Sequence, residues 1–159
     1  MTTRSDTQGR HWPDVAGRIE GDTHVLPVRV YFEDTDFSGL VYHANYLKFC
    51  ERGRSDFVRL LGIHHRELID GEGGEEPAAF VVRHMEIDFL KPARIDDLLE
   101  VVTHCAETGG ATLTLAQEVR RDGVALVRLR VKVVLVSKSG KPRRLGALVR
   151  NAFQRFVKH

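Results

Sequence analysis

One long apolar helix followed by four strands is the feature that most limits what this chain can fold into. Between His43 and Leu61, the residues Tyr46, Phe49, Cys50, Gly53, Phe57, Leu60 and Leu61 recur at spacings of three and four. Such a pattern places them on one face of a helix. Glu51, Arg52, Arg54 and Arg59 fall mostly elsewhere. Gly53 on the apolar face costs roughly 1 kcal/mol of helix propensity relative to Ala. The cost is tolerable if a sheet packs closely against it. Gly62 is placed to stop the helix.

The segments 78–90, 97–108, 111–121 and 124–136 then read as strands. In the last, Val127, Leu129, Val131, Val133 and Leu135 face one way, and Arg128, Arg130 and Lys132 the other. Asp122-Gly123 is a two-residue hairpin signal, and Gly109-Gly110 marks a second tight turn. Upstream, 25–34 alternates with Val28, Val30 and Phe32 on one side, which predicts a first strand. The expected fold is α+β, an antiparallel five-stranded sheet wrapped around one long central helix, which buries one sheet face. Residues 1–23 read as a flexible tail. Residues 24–159 read as a single domain ending in a short helix over 145–157. The sheet edges then call for pairing with a second subunit or for charge.

A chain of 159 residues holds one domain with a sizeable core. No apolar stretch approaches the ~18 residues of a transmembrane helix, and the N-terminus lacks an apolar signal core. Cys50 and Cys105 have no CxxC partners, so neither a metal site nor a disulfide framework is suggested. These features predict a cytoplasmic protein without metal or cofactor. The net charge is +2, yet twelve of the 24 Lys and Arg residues lie from Arg120 onward, with Asp122 the one acid there. That basic quarter reads as a solvated face or as a surface for phosphates or an acidic partner. Aromatic residues are not interleaved with its charges in the strand-and-turn part, which argues against nucleic acid.

The chemistry concentrates in Glu33-Asp34-Thr35-Asp36-Phe37-Ser38-Gly39-Leu40-Val41-Tyr42-His43-Ala44. This run leaves a strand, turns at 36–39 and opens the helix. It places carboxylates, hydroxyls and a histidine beside a helix N-terminus. Such a terminus carries unpaired amides and positive potential, so it suits an oxyanion.

Tyr31-Phe32-Glu33-Asp34-Thr35-Asp36, Gly39, Val41-Tyr42-His43, Tyr46 and Glu51-Arg52-x-Arg54 resemble the 4-hydroxybenzoyl-CoA thioesterase family of hotdog-fold proteins. The likeness is strongest to the branch associated with the bacterial Tol-Pal system. It runs from about Val28 through Val136 and includes Pro92-Ala93-Arg94-Ile95-Asp96-Asp97. The resemblance implies hydrolysis of an acyl-CoA thioester at a subunit interface in a homodimer or homotetramer. It implies Asp36 as the catalytic carboxylate, nucleophile or general base, with His43 as its partner. Gly39, Val41, Tyr42 and Tyr46 are the expected substrate-binding residues. Candidate pocket walls are Phe37, Leu40, Tyr46 and Phe57. Candidates for the CoA phosphates are Arg83, Lys91, Arg94, Arg128, Arg130 and Lys132. The alternative is a non-catalytic protein docking to an envelope complex or to acyl carrier protein.

Each residue also has a plainer role. Asp36 can start an Asx turn, and Asp34 is a second acid that could couple to it. Glu51 is a rival carboxylate, expected to pair with an arginine such as Arg54 or with a sheet residue. Thr35 and Ser38 suit turn hydrogen bonds. His64 and His65 are adjacent on a short helical turn and diverge too widely for a metal pair.

Overall fold

The computed structural model describes residues 15–71, 74 and 76–157. Six strands form one antiparallel sheet: β1 (Arg18–Glu20), β2 (Thr23–Arg29), β3 (Ala78–Phe89), β4 (Leu98–Thr108), β5 (Thr112–Arg121) and β6 (Val124–Ser137). Their spatial order is β1-β2-β4-β5-β6-β3. Helix α1 (His43–Leu60) packs on one face, followed by the short α2 (His65–Asp70); α3 (Ala147–Gln154) closes one end.

The core lies between α1 and the inward side chains of the sheet. Val127, Leu129, Val131, Val133 and Leu135 of β6 are all buried, as their alternation requires. Asp122 and Gly123 sit at φ 52° and 79°, the left-handed pair of a type I′ hairpin. Gly53 explains how α1 lies so close to the sheet. A Cβ there would come within 2.7 Å of Val101 Cγ1 and 3.3 Å of Gln117 Nε2.

Three expectations are corrected. The sheet has six strands, not five, because β1 forms within the stretch read as tail; residues 1–14 lie outside the described residues. All three β1 side chains are exposed, so there is no alternation to read. It is held instead by pairing with β2 and by the Gly17 amide, which donates to the buried Asp56 carboxylate at 2.7 Å. The strand predicted over 25–34 ends at Arg29. Asp34 accepts the Tyr31 amide at 2.8 Å and bends Phe32–Asp34 into a 3-10 turn. Such side-chain bonds compete with a strand ladder, and Phe32 consequently points outward. Finally, Arg54 is buried and Leu60 partly exposed, the reverse of the face assigned from spacing.

Candidate active site

The run 35–41 is an antiparallel loop closed by a bridge between Thr35 and Val41. The Asp36 amide donates to the Leu40 carbonyl at 2.9 Å, and the Gly39 amide to the Asp36 carbonyl at 3.0 Å. Gly39 takes φ +82°, which a side chain would oppose. Asp36 Oδ1 accepts the Ser38 amide at 2.8 Å and the Ser38 hydroxyl. So the Asx turn is present, and among the described residues no hydrogen bond is recorded to Oδ2. These Ser38 bonds, the hydroxyl's first, hold the Asp36 carboxyl below the usual carboxylate range. At neutral pH it is a carboxylate.

The loop is zipped to the 92–97 segment. The Val41 amide donates to the Ala93 carbonyl at 2.9 Å, and the Ile95 amide to the Gly39 carbonyl at 3.1 Å. The Ala93 amide donates to the Tyr46 hydroxyl at 2.9 Å. Asn45 supplies a further clamp: its side-chain amide reaches the Asp34 carbonyl at 2.8 Å. Together these bonds fix the turn against the first turn of α1.

Asp36, Leu40, Val41, Tyr42, His43 and Tyr46 line one cleft of about 460 Å3, closed on its far side by Phe89 to Pro92. The His43 ring lies against Tyr42, centroids 4.5 Å apart, and edge-on to Phe89 at 6.0 Å. The Tyr42 amide, just before the helix, donates to the Asp34 carbonyl at 3.0 Å. Among the described residues no acceptor is recorded for the amides of His43 and Ala44. Those two are the open donors at the helix start.

The remaining expected residues divide clearly. Gly39 shapes the turn and is not among the cleft-lining residues. Tyr46 lines the cleft, but it is buried and its hydroxyl holds Ala93; burial pushes its pKa up. Of the proposed walls, Leu40 and Tyr46 serve. Phe37 stands fully in solvent, and Phe57 lies in the core against Phe153 and Phe156. Asp34 is a turn residue bonded to Tyr31. Among the phosphate candidates, only Lys91 borders the cleft; Arg128 pairs with Glu118 at 2.9 Å. Glu51 lines a different pocket, and no ion pair with Arg54 is recorded. Arg54 instead donates to Gln117 Oε1 at 3.0 Å. Asn45 and the wall of Phe89, Leu90 and Pro92 were not foreseen. The Lys91-Pro92 strand stop was the one available signal.

Residues 38–128 match the family model described as the thioesterase superfamily. The chain belongs to the thioesterase superfamily. Acyl-CoA thioesterase YbgC of Haemophilus influenzae is 41% identical over 133 residues, 84% of this chain and 90% of that protein. Acyl-CoA thioester hydrolase YbgC of Escherichia coli O157:H7 is 40% identical over 121 residues, 75% and 87% of the two chains. Among solved structures, a probable thioesterase from Bartonella henselae matches with a TM-score of 0.75 at 47% identity. It covers 78% of this chain and 99% of its own. The match confirms the hotdog architecture, and the two thioesterase relatives, about 40% identical over most of the chain, make it an acyl-CoA thioesterase.

Proposed function

We propose that this thioesterase hydrolyses acyl-CoA thioesters in the Asp36 cleft, releasing the free acid and CoA. The acyl group is short, medium-chain or aromatic. One observation carries the reading: an ionised carboxylate, Asp36, and the first residue of a helix, His43, line the same cleft. The thioester carbonyl carbon would be attacked either by Asp36 Oδ2, giving an anhydride that water then opens, or by water that Asp36 deprotonates. In both routes the oxyanion would face the start of α1 at His43, where one good donor is worth roughly 3–4 kcal/mol in the transition state. The His43 ring stands at that point to polarise the carbonyl or to protonate the departing thiolate. Lys91, on the opposite wall, is the cation best placed for a CoA phosphate.

β3 supports a homodimer, alone or paired into a tetramer. It is a twelve-residue edge strand carrying the exposed apolar residues Val81, Val82 and Phe89. A long apolar edge left uncovered invites pairing, and a two-fold axis across it makes the pairing antiparallel. The exposed cations Lys138, Lys141 and Arg144 suit an acidic acyl carrier protein. The Tol-Pal association rests on the sequence resemblance. Both cysteines are free and buried, in keeping with the cytoplasm, and no described helix is long and apolar enough to cross a membrane.

The test is a hydrolysis panel from acetyl-CoA to palmitoyl-CoA with benzoyl-type esters, run on the wild type and on Asp36→Asn. We expect turnover on part of the panel and at least a ~100-fold loss in the variant, with unchanged circular dichroism. Wild-type turnover in Asp36→Asn would remove that carboxylate from the mechanism. A folded wild type inert on the whole panel, yet binding a carrier, would favour the docking alternative.

A further inference from the structure

Residues 92–97 lie between β3 and β4 and support the Asp36 turn from behind. The Val41 amide donates to the Ala93 carbonyl, the Ile95 amide donates to the Gly39 carbonyl, and Leu40 forms a bridge with Arg94. Ala93 also carries the link to Tyr46 of α1, and Pro92 is itself a wall of the cleft. A shift of this segment therefore moves the Asp36 carboxylate relative to the start of α1.

The two ends of the segment are held unequally. At the far end the backbone is bonded twice to Val30. The Asp96 amide donates to the Val30 carbonyl, and the Val30 amide to the Asp97 carbonyl, each at 2.9 Å. Asp96 bends there at φ 72°, a left-handed conformation that persists in a residue with a side chain only where its surroundings fix it. At the near end Pro92 has no amide to donate. One side chain spans both ends. Arg121, the last residue of β5, donates from Nη1 to Asp97 Oδ2 at 2.7 Å and to the Pro92 carbonyl at 3.4 Å. Asp97 Oδ2 also accepts the Arg94 amide at 2.8 Å, which ties in the middle of the segment. Burial alone would raise the Asp97 pKa, but the Arg94 and Arg121 bonds outweigh it and hold the carboxyl below its ordinary value. The Arg121 and Asp97 side chains are 33% and 23% exposed. An ion pair so placed adds little to global stability, so its worth lies in the shape it imposes.

We propose that Asp97 and Arg121 are positioning residues for the reaction, their ion pair stapling residues 92–97 into the shape that sets the Asp36 turn against the start of α1. Neither is among the cleft-lining residues, so they act through Ala93, Ile95 and the turn and not on the substrate. Resting on the function proposed above, loss of the staple slows turnover, because a misplacement of about 1 Å at a reacting group costs on the order of 100-fold. Its effect on the turn itself rests on the hydrogen bonds alone.

The test compares Arg121→Met and Arg121→Lys with a control, Arg120→Met, whose arginine pairs with Glu118 instead. The first readout is amide hydrogen exchange on the full chain, followed by NMR. In Arg121→Met the Val41 and Ile95 amides should exchange at least ten-fold faster, while the amides of β4 and β6 stay within two-fold of wild type. The second readout is the rate on the panel ester that the wild type hydrolyses fastest. There kcat should fall at least ten-fold, with KM within two-fold and the urea midpoint unchanged. Arg121→Lys, which keeps the charge but not the fork, should fall between wild type and Arg121→Met on both readouts, and Arg120→Met should match wild type. Should Arg121→Met not fold, Asp97→Asn, which keeps an acceptor for the Arg94 amide, takes its place. Wild-type exchange at Val41 and Ile95, an undiminished kcat, or an equal loss in Arg120→Met would each overturn the proposal. A wild type inert on the whole panel sinks the proposed activity, and the exchange readout then decides the staple. An active wild type whose Arg121→Met variant keeps its full kcat sinks the staple alone.

Discussion

Asp36 and Asp56 serve the same helix, one seven residues before α1 begins and the other within its later turns. Asp36 is exposed, and its carboxylate is held on one oxygen by Ser38. Asp56 is buried, and both of its oxygens are taken. Oδ2 meets His24 Nε2 at 2.6 Å and the Gly17 amide at 2.7 Å, while Oδ1 receives Arg59. His24 is itself fully buried and stacked on Phe57 at 5.3 Å. One carboxylate is satisfied and joins the N-terminal strand to the helix. The other lines a cleft, and among the described residues no hydrogen bond is recorded to its second oxygen. A buried, saturated carboxylate is structural; an exposed, half-saturated one can react.

The sharpest way to break that contrast is to remove the buried member. Asp56→Ala should cost about 3–5 kcal/mol of stability, the usual penalty for breaking a buried pair, measured by urea unfolding. The folded fraction should keep its turnover. Asp36→Asn should do the opposite, with at least a ~100-fold loss of rate and an unchanged urea midpoint. If both variants lose activity and stability together, the division of labour is wrong.

The contrast is also sharpened by pH. Burial pushes the His24 pKa down, and the Asp56 bond only partly restores it. The unfolded chain therefore takes up the His24 proton first. Stability is fully present above the ordinary imidazole value of 6.5 and falls as pH drops below it, toward the depressed folded value. The slope is at most about 1.4 kcal/mol per pH unit for one group. His65, also pushed down by burial, adds to the decline. Melting curves at pH 7.5, 6.5 and 5.5 should show it, with a shallower slope in His24→Gln. The smallest effect is expected from Ser38→Ala. Losing the hydroxyl bond to ionised Asp36 raises its pKa, so the acid limb of the rate profile should move to higher pH.

How much of this was readable in the residues depended on distance along the chain. The β6 alternation and the Asp122-Gly123 turn are local patterns, and they fold as they read; the α1 face does so except at Arg54 and Leu60. So does the Asp36 turn, whose chemistry lies within four residues. The cleft's far wall was not readable, because Phe89 and Pro92 reach His43 only through the strand order of the sheet. Arg54 sits three residues from Glu51, which suggested an ion pair, but Gln117, 63 residues away, takes it instead. β1 is legible only once Gly17 is known to touch Asp56. Asn45 resembles any polar helix residue until the Asp34 carbonyl is placed beside it.

The Asp36 carboxylate, the group proposed to react, is thus mounted on a solvent-facing bend, while the sheet is closed by long ladders and a packed interior. Exposed, lightly packed segments open at lower free energy than core elements. On heating, catalytic competence would therefore fade while the ellipticity still looked native, and cooling would restore it. If Asp36 is the reacting group, the temperature optimum would report the firmness of a four-residue bend rather than the endurance of the scaffold.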